Sequence, residues 1–158
     1  NNPSKERSMK HYADITVRDR LDQIVAVVEG KNRQNLSERD ARDYLARLEA
    51  AWPGLLPQFV FVVSQDVGYL WRRSDQRWWD VNVRDSLSAW LSFDTSLPPS
   101  KNALERRLTG DAFDAALLLW LQSLASKEHA ADGGERVLEF AGLIDALRGS
   151  SFRLESAA

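Results

Sequence analysis

Residues Phe59-Val60-Phe61-Val62-Val63 form an unbroken run of aromatic and β-branched side chains, with Pro57 before it and Ser64-Gln65-Asp66 after. Such side chains are stiff at χ1 and pack well on a pleated surface. A run this short and apolar at every position predicts a buried strand rather than a helix. Two more β-prone runs follow, Tyr69-Leu70-Trp71-Arg72-Arg73 and Arg77-Trp78-Trp79-Asp80-Val81-Asn82-Val83, separated by Ser74-Asp75-Gln76. A short polar link between such runs predicts a hairpin. The three together predict a small three-stranded antiparallel meander over about residues 59–83.

On either side the spacing turns helical. Val17, Leu21, Ile24, Val25 and Val28 predict a helix over Val17–Glu29, with Thr16 and Asp19 as a capping box and Gly30 as its end. Ser37 and Asp40 open a second helix over Glu38–Ala51, its inner face Ala41, Tyr44, Leu45, Leu48 and Trp52, stopped by Pro53-Gly54. After the meander, shorter helices are expected at Ser86–Leu91 and Asn102–Leu108. A strongly apolar one is expected at Asp111–Ser126, and another at Glu135–Leu147, closed by Gly149. The fold class expected is therefore α+β and mostly helical, a helical bundle with the meander between its helical segments. Residues 1–13 read as a polar tail or linker, open to proteolysis at, for example, Met9-Lys10. Residues 14–150 read as one globular domain and residues 151–158 as a C-terminal tail on which Phe152 docks. The opening Asn1-Asn2-Pro3 reads as the edge of a longer chain or of a tag.

The bulk properties narrow the function classes. A chain of 158 residues with 44% hydrophobic and 28% charged residues has enough apolar surface for one core. Its 21 basic and 23 acidic side chains give a net charge of −2, without the basic surplus typical of nucleic-acid binders. There is no cysteine, which removes disulfides and thiolate chemistry and fits a cytoplasmic location. The longest apolar run, Ala115–Leu121, is far short of the ~20 residues that span a bilayer, so no membrane partner is expected.

Catalytic signatures are sparse. The two histidines, His11 and His129, lie in separate polar stretches, and no metal-ligand spacing or nucleophile elbow occurs. Asp80 and Asp85 are carboxylates available for acid–base work, with nothing that distinguishes them from surface charge. Gly133-Gly134 precedes a helix start, where backbone N–H groups can hold an anion, but turn chemistry explains the pair as well. No enzyme activity, cofactor or metal is expected.

The hairpin is the strongest functional lead. A turn centred on Asp75-Gln76 pairs Arg73 with Trp78, Trp71 with Asp80 and Tyr69 with Asn82. Leu70, Arg72, Trp79 and Val81 then pack on the helices, while Tyr69, Trp71, Arg73 and Trp78 share the other face. Tryptophan, tyrosine and arginine dominate interface hot spots. The same types stack on bases, but residues 66–85 hold four arginines and four aspartates, so the segment is neutral. The expectation is a non-enzymatic module that docks or regulates another protein through Tyr69, Trp71, Arg73 and Trp78. The alternative is a binder of an anionic ligand or single-stranded nucleic acid through Arg72, Arg73 and Arg77. A third reading leaves the same aromatic residues as core, with arginine stacked on tryptophan inside the fold.

Overall fold

The computed structural model describes residues 12–91 and 103–155, with side chains from residue 112 onward in the second stretch. The remaining residues, including most of the expected N-terminal tail and the last three of the expected C-terminal one, lie outside it. In chain order the elements are β1 (Ile15–Arg18), β2 (Ile24–Gly30), α1 (Glu38–Ala51), β3 (Phe59–Val63), β4 (Val67–Arg72) and β5 (Arg77–Asn82). They continue as α2 (Arg84–Leu91), α3 (Ala103–Ser126), α4 (Gly133–Ala141), α5 (Leu143–Leu147) and β6 (Ser151–Leu154).

The strands form one mixed six-stranded sheet in the order β5-β4-β3-β2-β1-β6. This overturns the expected helical bundle. The meander β3–β4–β5 exists, but it is only half of a sheet that runs the width of the domain. β2 and β3 are parallel, and the other neighbours are antiparallel. A parallel neighbour demands a crossover connection, and α1 is that crossover.

The segment expected as the first helix is the β1–β2 hairpin. Its turn is held by Asp19, whose Oδ1 accepts the backbone N–H groups of Leu21 at 2.9 Å and Gln23 at 3.0 Å. Asp22 takes a left-handed φ of 63°, which aspartate tolerates. The helical spacing was accidental: Leu21, counted toward the inner face, is 79% exposed. Thr16, expected as a cap, is a buried strand residue whose Oγ1 donates to Glu155 Oε1 at 2.7 Å. The density of β-branched residues in Ile15-Thr16-Val17 and Ile24–Val28 was the stronger signal.

Other boundaries shift less. α1 runs over Glu38–Ala51 with Ser37 and Asp40 forming the reciprocal capping box. The two helices expected before and after Gly110 are one, α3. The helix expected over Glu135–Leu147 breaks at Gly142, whose φ of 94° suits glycine. Ser151–Leu154, read as the start of a tail, pairs along β1 as β6. Tyr12 and Ala13, read as the tail's end, are docked: the Tyr12 ring meets Trp52 edge-on at 4.8 Å, and Tyr44 donates its hydroxyl proton to the Tyr12 carbonyl.

Alternation along the strands sends side chains into two cores. Ile15, Val17, Val28, Phe61, Leu70 and Val81 join Leu87 of α2, Leu117 and Trp120 of α3, and the inner faces of α4 and α5. Val27, Val60, Val62, Tyr69 and Trp71 face the opposite way, toward Ala41, Tyr44 and Leu48 of α1 and Trp52 just after it. Among the described residues α1 is the one helix on that face, too little to cover six strands, and this shortfall positions the candidate site.

Candidate functional site

The β4–β5 register places Trp71 opposite Trp78, Tyr69 opposite Asp80 and Arg72 opposite Arg77. The expected pairing is slid by two residues, because the turn occupies Arg73–Gln76, with Gln76 at a φ of 51°. A slip of two leaves every side chain on its own face. Tyr69, Trp71 and Trp78 therefore still share the face toward α1, but Arg73 lies in the turn.

Their exposure divides them. Tyr69 and Trp71 are only 9% and 6% exposed, packed beneath α1, and the Tyr69 hydroxyl donates to the Leu36 carbonyl at 3.0 Å. Trp78 is half-buried and Arg73 is exposed. The Arg73 guanidinium donates to the Leu56 carbonyl at 2.7 Å, tying the turn to the loop after α1.

Beyond the edge of α1 this face opens into a groove of about 870 Å³. Trp71 and Trp78 form its floor. One flank of α1, carrying Glu38, Arg42, Leu45, Ala46 and Glu49, is its wall, while Arg73, Gln76 and Asp80 rim the other side. The wall residues recur at helical spacing, so they form one stripe. Arg42 is held by Glu38 at 2.8 Å and sits 5.3 Å from the centre of the Trp78 ring. The wall is the part that sequence reasoning missed. Leu45 was expected on the inner face of the helix, and nothing in the spacing set Glu38, Arg42, Ala46 and Glu49 apart from ordinary surface residues.

The arginines of the anionic-ligand alternative are largely engaged within the fold. Arg72 makes a two-pronged contact with Asp75, at 2.7 and 3.0 Å, and donates to the Ala141 carbonyl at 2.8 Å. The hydrogen bond from Arg72 holds the Asp75 carboxyl below its usual range. Arg72 and Arg77 each lie 4.6 Å from the centre of the Trp79 ring, on the face opposite the groove. The three guanidinium groups do not converge on one pocket.

Two polar clusters were not anticipated. Ser86 donates to Glu135 Oε2 at 2.6 Å and accepts the Trp120 indole N–H at 2.7 Å, while Lys127 and the Ala131 N–H also reach Glu135. Burial pushes the Glu135 carboxyl up, but the bonds from Ser86, Ala131 and Lys127 together outweigh it and hold the carboxyl below its usual range, and the network knits α2, α3 and α4 together. The second cluster is Glu29 beside Asp14. Burial, then the adjacent Asp14, pushes the Glu29 carboxyl up to about 8, against a weaker pull from Lys31. Burial first, then Glu29 and Asp14, also pushes the nearby Tyr44 hydroxyl upward.

Asp80 and Asp85 border a smaller pocket of about 310 Å³ together with Asp132 and the Gly133-Gly134 pair. There a Cβ on Gly134 would lie 1.9 Å from the Asn82 carbonyl oxygen. The second glycine thus permits α4 to approach β5, which accounts for Gly134 without an anion. His129 is exposed in the loop after α3, and His11 is outside the described residues. Among the described residues no three histidine, aspartate or glutamate side chains converge as a metal site would require, and no helix is long and apolar enough to cross a membrane. No protein-family model, curated protein or solved structure matches this chain.

Proposed function

We propose that the chain is a protein-docking module whose partner lays a segment in the groove between α1 and the β4–β5 hairpin. The observation that carries the reading is the pair Trp71 and Trp78, side by side across two strands, flooring an open groove that no element fills among the described residues. A half-buried tryptophan offers a large apolar face at a low cost in side-chain entropy, and hot spots concentrate on such anchors. Trp71 is too buried to meet a partner broadly, so it supports Trp78, and Arg42 stiffens Trp78 from the side. The hairpin's balanced charge favours a protein segment over a phosphate backbone.

Selection from a displayed random-peptide library tests this. Peptides enriched on the wild-type domain should lose at least about tenfold in affinity on Trp78→Ala, equal to about 1.4 kcal/mol. Leu21→Ala, exposed in the β1–β2 turn and away from β5 in the sheet, should leave them unaffected. Enriched peptides that bind Trp78→Ala as tightly as wild type, or no enrichment at all, overturn the proposal.

A further inference from the structure

β5 is an edge of the sheet. The bond from the Val83 N–H to the Asp66 carbonyl, 3.1 Å, fixes which of its main-chain groups face β4. Bonded and non-bonded pairs alternate along an antiparallel ladder. Arg77, Trp79 and Val81, opposite Arg72, Leu70 and Gly68, therefore bond to β4. Trp78 and Asp80 turn their N–H and C=O groups outward, and among the described residues no backbone bond from another element reaches them. Past Asp80 the edge closes, where Gly134 of α4 abuts the Asn82 carbonyl.

The same two residues direct their side chains onto the groove. Glu38 and Arg42 neutralise one another, and Arg73 is turned to a carbonyl. Asp80 is exposed, and among the described residues it has no ion pair. An apolar anchor, an uncompensated carboxylate and a short open stretch of strand edge thus coincide.

We infer that the occupant of the groove is an extended segment of a partner protein that adds to β5 as an antiparallel strand, with a basic residue opposite Asp80 and an apolar residue opposite Trp78. The inference rests on the groove reading and deepens it. In strand addition the main-chain bonds supply affinity and alternate side chains supply specificity. Charges on a bare edge discourage indiscriminate pairing. An incoming strand must answer both charges of β5: Asp80 with a base on the groove face, and Arg77 with an acid on the other face. Read from its N-terminus, the matching segment is basic-x-apolar-acidic.

The probe is a set of short capped peptides, Ser-Thr-X-Val-Z-Glu-Ser, with X and Z each varied over Lys, Glu, Leu and Ala, measured by fluorescence polarisation. The tightest member should carry Lys at X and Leu at Z. Asp80→Lys, an exposed change that leaves the core intact, should reverse the preference at X toward Glu. Methylating the amide nitrogen of residue Z should weaken binding at least about tenfold, whereas methylating that of the central Val should change it less than about twofold. Failure of every member to bind, indifference to Asp80→Lys, or equal tolerance of both methylations overturns the inference. Binding that needs Trp78 but ignores methylation retains the groove and removes strand addition. Binding that ignores Trp78→Ala as well removes the groove reading itself.

Discussion

Gly133 and Gly134 are neighbours in sequence, and the fold predicts opposite responses to the same substitution. Gly133 opens α4, and a Cβ built there meets nothing within 4 Å. Replacing glycine by alanine within a helix is worth up to about 0.5–1 kcal/mol, so Gly133→Ala should stabilise by at most that much. At Gly134 the added carbon would lie 1.9 Å from the Asn82 carbonyl oxygen. Real Cβ contacts essentially never fall under 3.0 Å, so helix and strand must separate by about 1 Å. Both sides of the clash are backbone, and no side-chain rotation relieves it. Overpacking of this kind costs about 1–3 kcal/mol and sometimes more. The propensity gain of about 0.5–1 kcal/mol offsets part of that, so Gly134→Ala should destabilise by about 1 kcal/mol net. Urea unfolding followed by tryptophan fluorescence reads the difference as midpoints moving in opposite directions at unchanged slope. Equal midpoints for Gly134→Ala and wild type would refute the close approach of α4 to β5.

Further consequences can be measured on the same footing. The Glu29 carboxyl titrates near 8 in the fold against 4.5 unfolded, so its protonated form is the one the fold favours. Its contribution is complete below about pH 4.5 and is lost as pH rises through 8. Glu29→Gln should flatten the decline in stability across that window, and parallel wild-type and variant curves would show that Glu29 does not cause it. Trp120→Phe removes the indole N–H that reaches Ser86 and a little core volume, and should cost about 1–3 kcal/mol in urea unfolding. Ser86→Ala in that background should add less than it does alone, and full additivity would count against a shared network. Thr16→Val leaves buried Glu155 without its hydroxyl donor and should cost about 1–3 kcal/mol, whereas a neutral result would place water at that carboxylate.

What could be read in advance follows the range of the interactions. α1 announced itself through Ser37 and Asp40, a signal confined to four consecutive positions. β3, β4 and β5 follow one another with short links, so their runs of aromatic and β-branched residues sufficed. β1 and β2 were misread because Val17, Leu21, Ile24 and Val28 satisfy a helical period by chance, and the turn at Asp19–Asp22 contains neither glycine nor proline. The pairing of β6 with β1 and of β2 with β3 depends on partners far away in sequence, which a local reading cannot supply. The candidate site divides the same way. The face shared by Tyr69, Trp71 and Trp78 follows from alternation alone and survived a register slip of two. How deeply each residue is covered depends on where α1 lies, and that is set by the parallel β2–β3 pairing.

The placement of β1 between β2 and β6 has a kinetic consequence. The Thr16–Glu155 bond closes a loop across a separation of 139 residues, and the edge of β1 that faces β6 stays unpaired until that loop closes. Bringing such distant segments together costs about 4 kcal/mol in chain entropy before any contact repays it. Non-local strand pairing of this kind slows folding. During synthesis, β2 through β5 emerge and can pair long before β6 exists. The domain should therefore populate a partly ordered state with β1 exposed, and that strand is where a nascent chain of this protein would be open to misassembly or to a chaperone.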